Sequence, residues 1–227
     1  MTDQEAAALG AAALAEVKPG TVVGLGTGQA ATAFIHALGR AVEEGLRVTG
    51  VPTSEASAAL ARTLGIPLVE QPVALDVAVD GADEVDPRLD LVKGFGGALV
   101  REKIVAAAAQ RFIVLVGAEK LVPVLGARGR LPVEVVPFAV PFCTRRLAEL
   151  GYPPVVRQKD GRPFVTDNGN LILDAAVQSI PDPARLDRSL LEIPGVVGTG
   201  LFVGMAHAVL VWQDGRARRL TTKEAHP

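Results

Sequence analysis

Along the first half of the chain, short apolar runs alternate with longer amphipathic segments. Residues 22–25, 47–51, 67–69, 75–79 and 112–116 have the length and composition of buried strands, and segments around 30–44, 54–64 and 98–110 have helical length. An alanine-rich stretch precedes them. Thr2 and Glu5 stand at capping-box spacing, which predicts a helix that runs to residue 17 and stops before Pro19-Gly20. This is βαβ patterning, and it predicts a parallel sheet with helices on both faces.

After residue 130 the rhythm changes. The pattern predicts a strand over 131–136, a helix over 142–150, strands over 154–159 and 170–174, a helix over 183–192 and a strand over 197–203. That order, βαββαβ, is the split βαβ of ferredoxin-like domains, and Asn168-Gly169 marks a tight turn between its middle strands. An apolar run over 208–212, an Asp214-Gly215 turn and a polar strand over 216–220 then predict a hairpin. The hairpin is read as returning to the first domain. The expected fold is therefore α/β, with a Rossmann-like domain from residues 1–129 plus 205–227 and an inserted ferredoxin-like domain at 130–204.

With 227 residues and 49% hydrophobic content, the chain can bury one large core and a smaller second one. A net charge of -2 with scattered Lys and Arg gives no polyanion-binding surface, so nucleic acid is not an expected partner. Cys143 has no disulfide partner, and His36, His207 and His226 lack zinc-site spacing, so a reducing, cytoplasmic setting is expected. The N-terminus carries acids where a secretory signal carries basic residues. The apolar stretch over 193–212 is interrupted by Gly195, Gly198, Gly200, Gly204 and His207, so it reads as two buried strands and not as a membrane span.

Two segments carry candidate chemistry. The turn after the first strand fits GxGxxA over residues 26–31, and backbone N–H groups facing a helix start at such a turn suit a phosphate. About twenty residues on, where a dinucleotide fold needs an acid for the ribose, the chain has Val51-Pro52-Thr53-Ser54, which favours a monophosphate. A glycine turn that serves only tight packing is the competing explanation. Thr53 and Ser54 are placed either to add hydroxyl contacts or to cap the next helix.

In the second segment, Asp80 and Asp83 leave a strand, Lys93 opens the turn Gly94-Phe95-Gly96-Gly97, and Glu102 lies early in the following helix. Acids and an amine at one sheet edge, beside an anion-binding turn, meet the needs of proton transfer. Glu84, Asp86, Arg88, Asp90 and Lys103 are read as solvated. A magnesium site made of Asp80, Asp83, Glu84 and Asp86 ranks below the metal-free reading, because Lys93 already supplies a positive charge. Lys120 stands at a strand end, to meet a substrate anion or solvent; Cys143 reads as packed and His207 as a satisfied core or edge histidine. The chain has neither a GxSxG elbow nor a Walker A loop.

The segments GLGTGQA (24–30), DGADEVD (80–86), KGFGGALVREK (93–103), LPVEVVP (131–137) and VTDNGNLILD (165–174) together resemble the type A ribose-5-phosphate isomerase family. The resemblance implies interconversion of ribose 5-phosphate and ribulose 5-phosphate without metal or organic cofactor, on a Rossmann-like domain with an α/β lid, in a homodimer or homotetramer. It implies that Glu102 is the proton acceptor and that Thr27, Gly28, Gln29, Ala30, Asp80, Gly81, Ala82, Asp83, Lys93, Gly94, Phe95 and Gly96 line the sugar phosphate, with Lys120 touching it. Lys93 would stabilise the enediolate, and Asp80 and Asp83 would orient hydroxyls and help open the ring.

Two departures stand out. Gln29 and Ala30 replace the Ser-Thr pair common in the family, which removes hydroxyls from the phosphate cradle, and Phe95 and Gly97 stand in a segment that often reads KGGGAAL, where Phe95 is expected to narrow the pocket. A sugar-phosphate sensor, a CoA transferase relative with a glutamate nucleophile and a dinucleotide dehydrogenase are the alternatives weighed against the isomerase.

Overall fold

The computed structural model describes residues 1–69, 71 and 74–221; His226 and the end of the expected return segment, 222–227, lie outside the described residues. The capping box at Thr2 and Glu5 starts α1 (Asp3–Ala13). Then follow β1 (Val22–Leu25), α2 (Gln29–Glu43), β2 (Thr49–Pro52), α3 (Glu55–Thr63), β3 (Leu75–Gly81), β4 (Glu84–Val85), β5 (Leu91–Val92), α4 (Leu99–Ala108) and β6 (Ala109–Gly117). The second half has β7 (Arg130–Val135), α5 (Val140–Glu149), β8 (Pro154–Val156), β9 (Gln158–Lys159), β10 (Arg162–Pro163), β11 (Leu171–Ala176), α6 (Pro183–Leu191), β12 (Val196–Thr199), β13 (Leu201–Phe202), β14 (Ala208–Gln213) and β15 (Arg216–Leu220).

The main sheet has the order β15-β14-β6-β3-β1-β2 and is parallel except for the β14–β15 hairpin at its edge. Alternating side chains explain its two cores. Val77, Val79, Ile113 and Leu115 face α1 and α2 through Leu9, Phe34 and Leu38, while Ala78, Phe112 and Val114 face the side of Val105, Ala106 and Phe202. After β1 the chain goes to β2 on one side and returns to β3 on the other. The carboxyl ends of β1 and β3 thus meet at a topological switch point, the crevice where open α/β sheets bind ligands.

The second sheet has the order β12-β7-β11-β8 and is antiparallel throughout, the arrangement expected of a βαββαβ unit. Cys143 and Leu147 of α5 and Leu186 and Leu190 of α6 bury one of its faces together with Val133, Val135 and Leu173. Its other face meets α4, where a Cβ on Gly198 would lie 2.9 Å from Val100.

Several expectations need correction. The strand expected over 67–69 is a single bridge between Gly50 and Leu68. The one expected over 197–203 is two strands in different sheets, β12 paired with β7 in the second sheet and β13 paired with β5. Gly200 makes the break: its N–H donates to Pro132 O at 2.8 Å and its carbonyl accepts from Lys93 N at 2.8 Å, so one residue joins the second sheet to the segment that carries Lys93. The β9–β10 hairpin is an addition after β8, while the Asn168-Gly169 turn lies between the middle strands β8 and β11, as expected.

The segment 84–90 is not a solvated loop, since Glu84, Asp86 and Asp90 are all buried. Glu84 accepts from the N–H groups of Gly126 and Arg128, each at 2.6 Å, Asp86 closes its own turn through Arg88 N and Asp90 N, and Asp90 holds Gly204 N. Backbone donors replace the lost water. Lys103 is likewise not solvated: it lies 3.5 Å from Asp187 and 5.2 Å from the centre of the Phe202 ring. Among the described residues, no helix is long and apolar enough to cross a membrane.

Candidate active site

At the switch point, β1 and β3 approach unusually closely. A Cβ on Gly26 would fall 2.3 Å from the Asp80 carboxylate, so only glycine permits the approach. Gly28, at φ +107°, then opens α2 without any side-chain cap, and the first amides of that helix border a cleft of ≈ 160 Å³. Uncapped N–H groups at a helix start form an anion site. The Gln29 side chain does not join it, because its amide donates to Asp3 at 2.8 Å. Thr53 and Ser54 stand behind the cleft, each 2.8 Å from the Thr27 hydroxyl, and Ser54 also caps α3 through Ser57 N.

The Lys93 ammonium is the hub of the site. It donates to Gly81 O at 2.6 Å and lies 3.0 Å from Asp80 and 3.4 Å from Glu102, all three side chains being buried. Asp80 also accepts from Thr27 N at 3.0 Å and Gly81 N at 2.7 Å, so its carboxylate fixes both turns from behind the cleft wall. Asp83 lines the cleft and accepts from Phe95 N at 2.9 Å. One oxygen of Glu102, Oε2, is buried with no hydrogen-bond partner among the described residues.

Burial pushes the Glu102 carboxyl up to about 8; Lys93 opposes this, and Asp80 and Asp83 add to it. Burial likewise raises Asp80 against the pull of Lys93. For Lys93, burial alone would favour the neutral amine, but Asp80 and Glu102 together outweigh it and raise its pKa, so it stays cationic. A base poised near neutrality beside a permanent cation is suited to moving a carbon-bound proton.

Of the residues singled out in the sequence, Thr27, Gly28, Gln29, Ala30, Gly81, Ala82, Asp83, Lys93, Gly94, Gly96, Glu102 and Lys120 line this one cleft. Asp80 and Phe95 do not. The Phe95 ring packs on the core of the second sheet with the Arg130 guanidinium 3.9 Å above it, so it leaves the pocket open instead of narrowing it. Glu84 and Asp86, proposed as magnesium ligands, are turned to backbone amides instead.

A profile of the family ribose 5-phosphate isomerase A (phosphoriboisomerase A) matches residues 49–215. The chain belongs to this family. Ribose-5-phosphate isomerase A of Roseiflexus sp. (strain RS-1) is 54% identical over 209 residues, which cover 89% of this chain and 90% of the relative. The protein of that name from Thermomicrobium roseum is 50% identical over 221 residues, covering 96% and 92%. The solved ribose 5-phosphate isomerase A of Methanocaldococcus jannaschii has a TM-score of 0.92 at 41% identity and covers 97% of this chain and all of its own. A D-ribose-5-phosphate isomerase in complex with phospho-erythronic acid also reaches 0.92, at 38% identity and 97% coverage of this chain.

The site neighbours of this ribose-5-phosphate isomerase A homologue that sequence reasoning missed are contacts between residues 94–101 and the second sheet unit. Arg157, paired with Asp174, donates to Gly94 O and Phe95 O. Arg101, next to Glu102, donates to Asn168 Oδ1 and Asp167 O, and Asp167 accepts from Glu55 N at the start of α3. Buried Glu134 anchors that turn through Thr166, Asn168 and Asn170. The cluster of polar residues in VTDNGNLILD, beyond its turn and its family resemblance, is the available signal for these contacts.

Proposed function

We propose that the chain interconverts ribose 5-phosphate and ribulose 5-phosphate with Glu102 as the base. The observation that carries this reading is the Glu102 carboxylate on the wall of the cleft, 3.4 Å from the Lys93 ammonium. In the open-chain aldose, Glu102 takes the proton from C2, a C1–C2 double bond forms, and the C1 carbonyl electrons move to O1. Lys93 meets the resulting negative charge. Glu102 then returns the proton to C1 while the O2 hydroxyl proton passes to O1 and C2 becomes the carbonyl, so no atom or electron is gained or lost.

The α2 start, with Lys120 at the rim, would hold the phosphate. Asp83, on the cleft wall, would take the anomeric hydroxyl proton as the ring opens, and Asp80 would hold Lys93 and the Thr27 amide in place. The same reading takes residues 130–204 as a lid on a catalytic domain of 1–129 and 205–227, and expects a cytoplasmic homodimer or homotetramer working without metal or organic cofactor.

The test is incubation with ribose 5-phosphate in excess EDTA while ribulose 5-phosphate is measured. Turnover is expected, with competitive inhibition by phospho-erythronic acid, whose planar carboxylate resembles the enediolate in charge and shape. Absence of turnover both in EDTA and with added Mg²⁺ or Mn²⁺ would overturn the reading and turn attention to CoA thioesters and to sugar-phosphate sensing.

A further inference from the structure

Arg157 follows β8 with its backbone fixed on both sides, donating to Ile172 O at 2.8 Å and accepting from Phe164 N at 2.9 Å. Its guanidinium grips Asp174 through Nε at 2.9 Å and through Nη2, and the two side chains are only 10% and 9% exposed. That fork alone would make a buried ion pair within the lid. The remaining nitrogen, Nη1, leaves the lid and donates to Gly94 O at 2.7 Å and Phe95 O at 3.1 Å, the two carbonyls that follow Lys93.

In a trans peptide the C=O and N–H point in opposite directions. The Gly94–Phe95 peptide is therefore held at both ends, its carbonyl by Arg157 and its N–H by Asp83 at 2.9 Å. The next peptide, Phe95–Gly96, also turns its carbonyl to Arg157, which directs the Gly96 N–H away from the guanidinium. Gly96 lines the cleft, and its N–H has no partner among the described residues. A cation on these carbonyls also polarises both peptides and strengthens their N–H groups as donors.

We infer that Arg157 is a positioning residue of the isomerase: it sets the peptide planes of the turn after Lys93, and so fixes Asp83 and presents the Gly96 N–H to the substrate. The inference rests on the isomerase reading above. A lysine cannot reproduce it, because a single ammonium lacks the planar fork that holds Asp174 and two carbonyls together.

The experiment measures full-length R157K, R157A and wild type for kcat and KM with ribose 5-phosphate, for the pH profile of kcat/KM, and for the folded fraction by circular dichroism. The expected result is that R157K folds but loses about 10- to 100-fold in kcat, the loss produced by small displacements of reacting groups, with KM changing much less and the acid limb of the profile displaced. Wild-type kcat, KM and pH profile per folded molecule in R157K would overturn the inference, as would an R157K chain that fails to fold where wild type folds, since that would make the role purely structural. R157A is judged by the same two criteria whenever it folds. Inactive wild-type protein would instead sink the isomerase reading, so the two failures are distinguishable.

Discussion

Glu102 places Oε2 3.4 Å from the ammonium of Lys93 and yet makes no hydrogen bond there. The cation lowers the cost of the buried carboxylate, and the residue borders the cleft where a substrate proton would be taken. Replacing Glu102 with Gln keeps the shape and removes the base. We expect the variant to fold and to lose ~10² to 10⁴ in kcat, as when a general base is removed; unimpaired steady-state turnover would exclude Glu102 from that role.

The raised Glu102 pKa gives a pH dependence with opposite signs for activity and stability. Activity needs the carboxylate, so kcat/KM of wild type should climb as pH rises towards about 8. Stability runs the other way: because the folded pKa lies above the ordinary 4.5, this group's contribution is fully present below 4.5 and is lost as pH rises through about 8. Thermal melts at pH 6 and pH 9 should therefore differ less in Glu102→Gln than in wild type.

Removing Lys93 leaves Asp80 and Glu102 buried without their cation. Lys93→Ala should lose kcat as well as binding, and should be less stable at pH 8 by roughly 3–5 kcal/mol, the cost of stranding half of a buried ion pair. Denaturant unfolding at pH 5.5 should recover part of that loss, because the stranded carboxylates can then take up protons. Equal destabilisation at the two pH values would argue against coupling among these groups, and an effect on KM alone would reduce Lys93 to a phosphate contact.

Gly200 stands where a Cβ would meet the Lys93 carbonyl oxygen at 2.3 Å. Gly200→Ala should push the lid strand off the catalytic segment, with a cost of about 1–3 kcal/mol in stability and a fall in kcat greater than any rise in KM. Melting curves and initial rates on the same preparation check both parts; a variant matching wild type in both would mean that the junction accommodates a methyl group without moving Lys93.

Much of this protein was legible before folding was considered. The βαβ alternation and the later βαββαβ order follow from periodicities of a few residues, which backbone geometry imposes wherever a strand or helix buries one side. Asp80, Asp83, Lys93 and Glu102 could also be gathered, because they lie within one short span of chain between a strand end and a helix start.

Tertiary structure alone decided the fate of the remaining polar groups. Glu84 and Asp90 look like parts of a solvated loop until Gly126, Arg128 and Gly204 arrive from distant parts of the chain to supply amides. Gly200 divides an apparently continuous strand because Lys93 and Pro132 meet there, Phe95 turns to Arg130 and away from the cleft, and Arg157 reaches Gly94 across the lid boundary. Apolar burial is roughly proportional to area and leaves a periodic trace in the chain, whereas a buried polar group is stable only with a particular partner at hydrogen-bond distance. Nothing in the local pattern names that partner, so the sequence by itself specified the layers and the candidate site residues, and the packed fold specified what holds them in place.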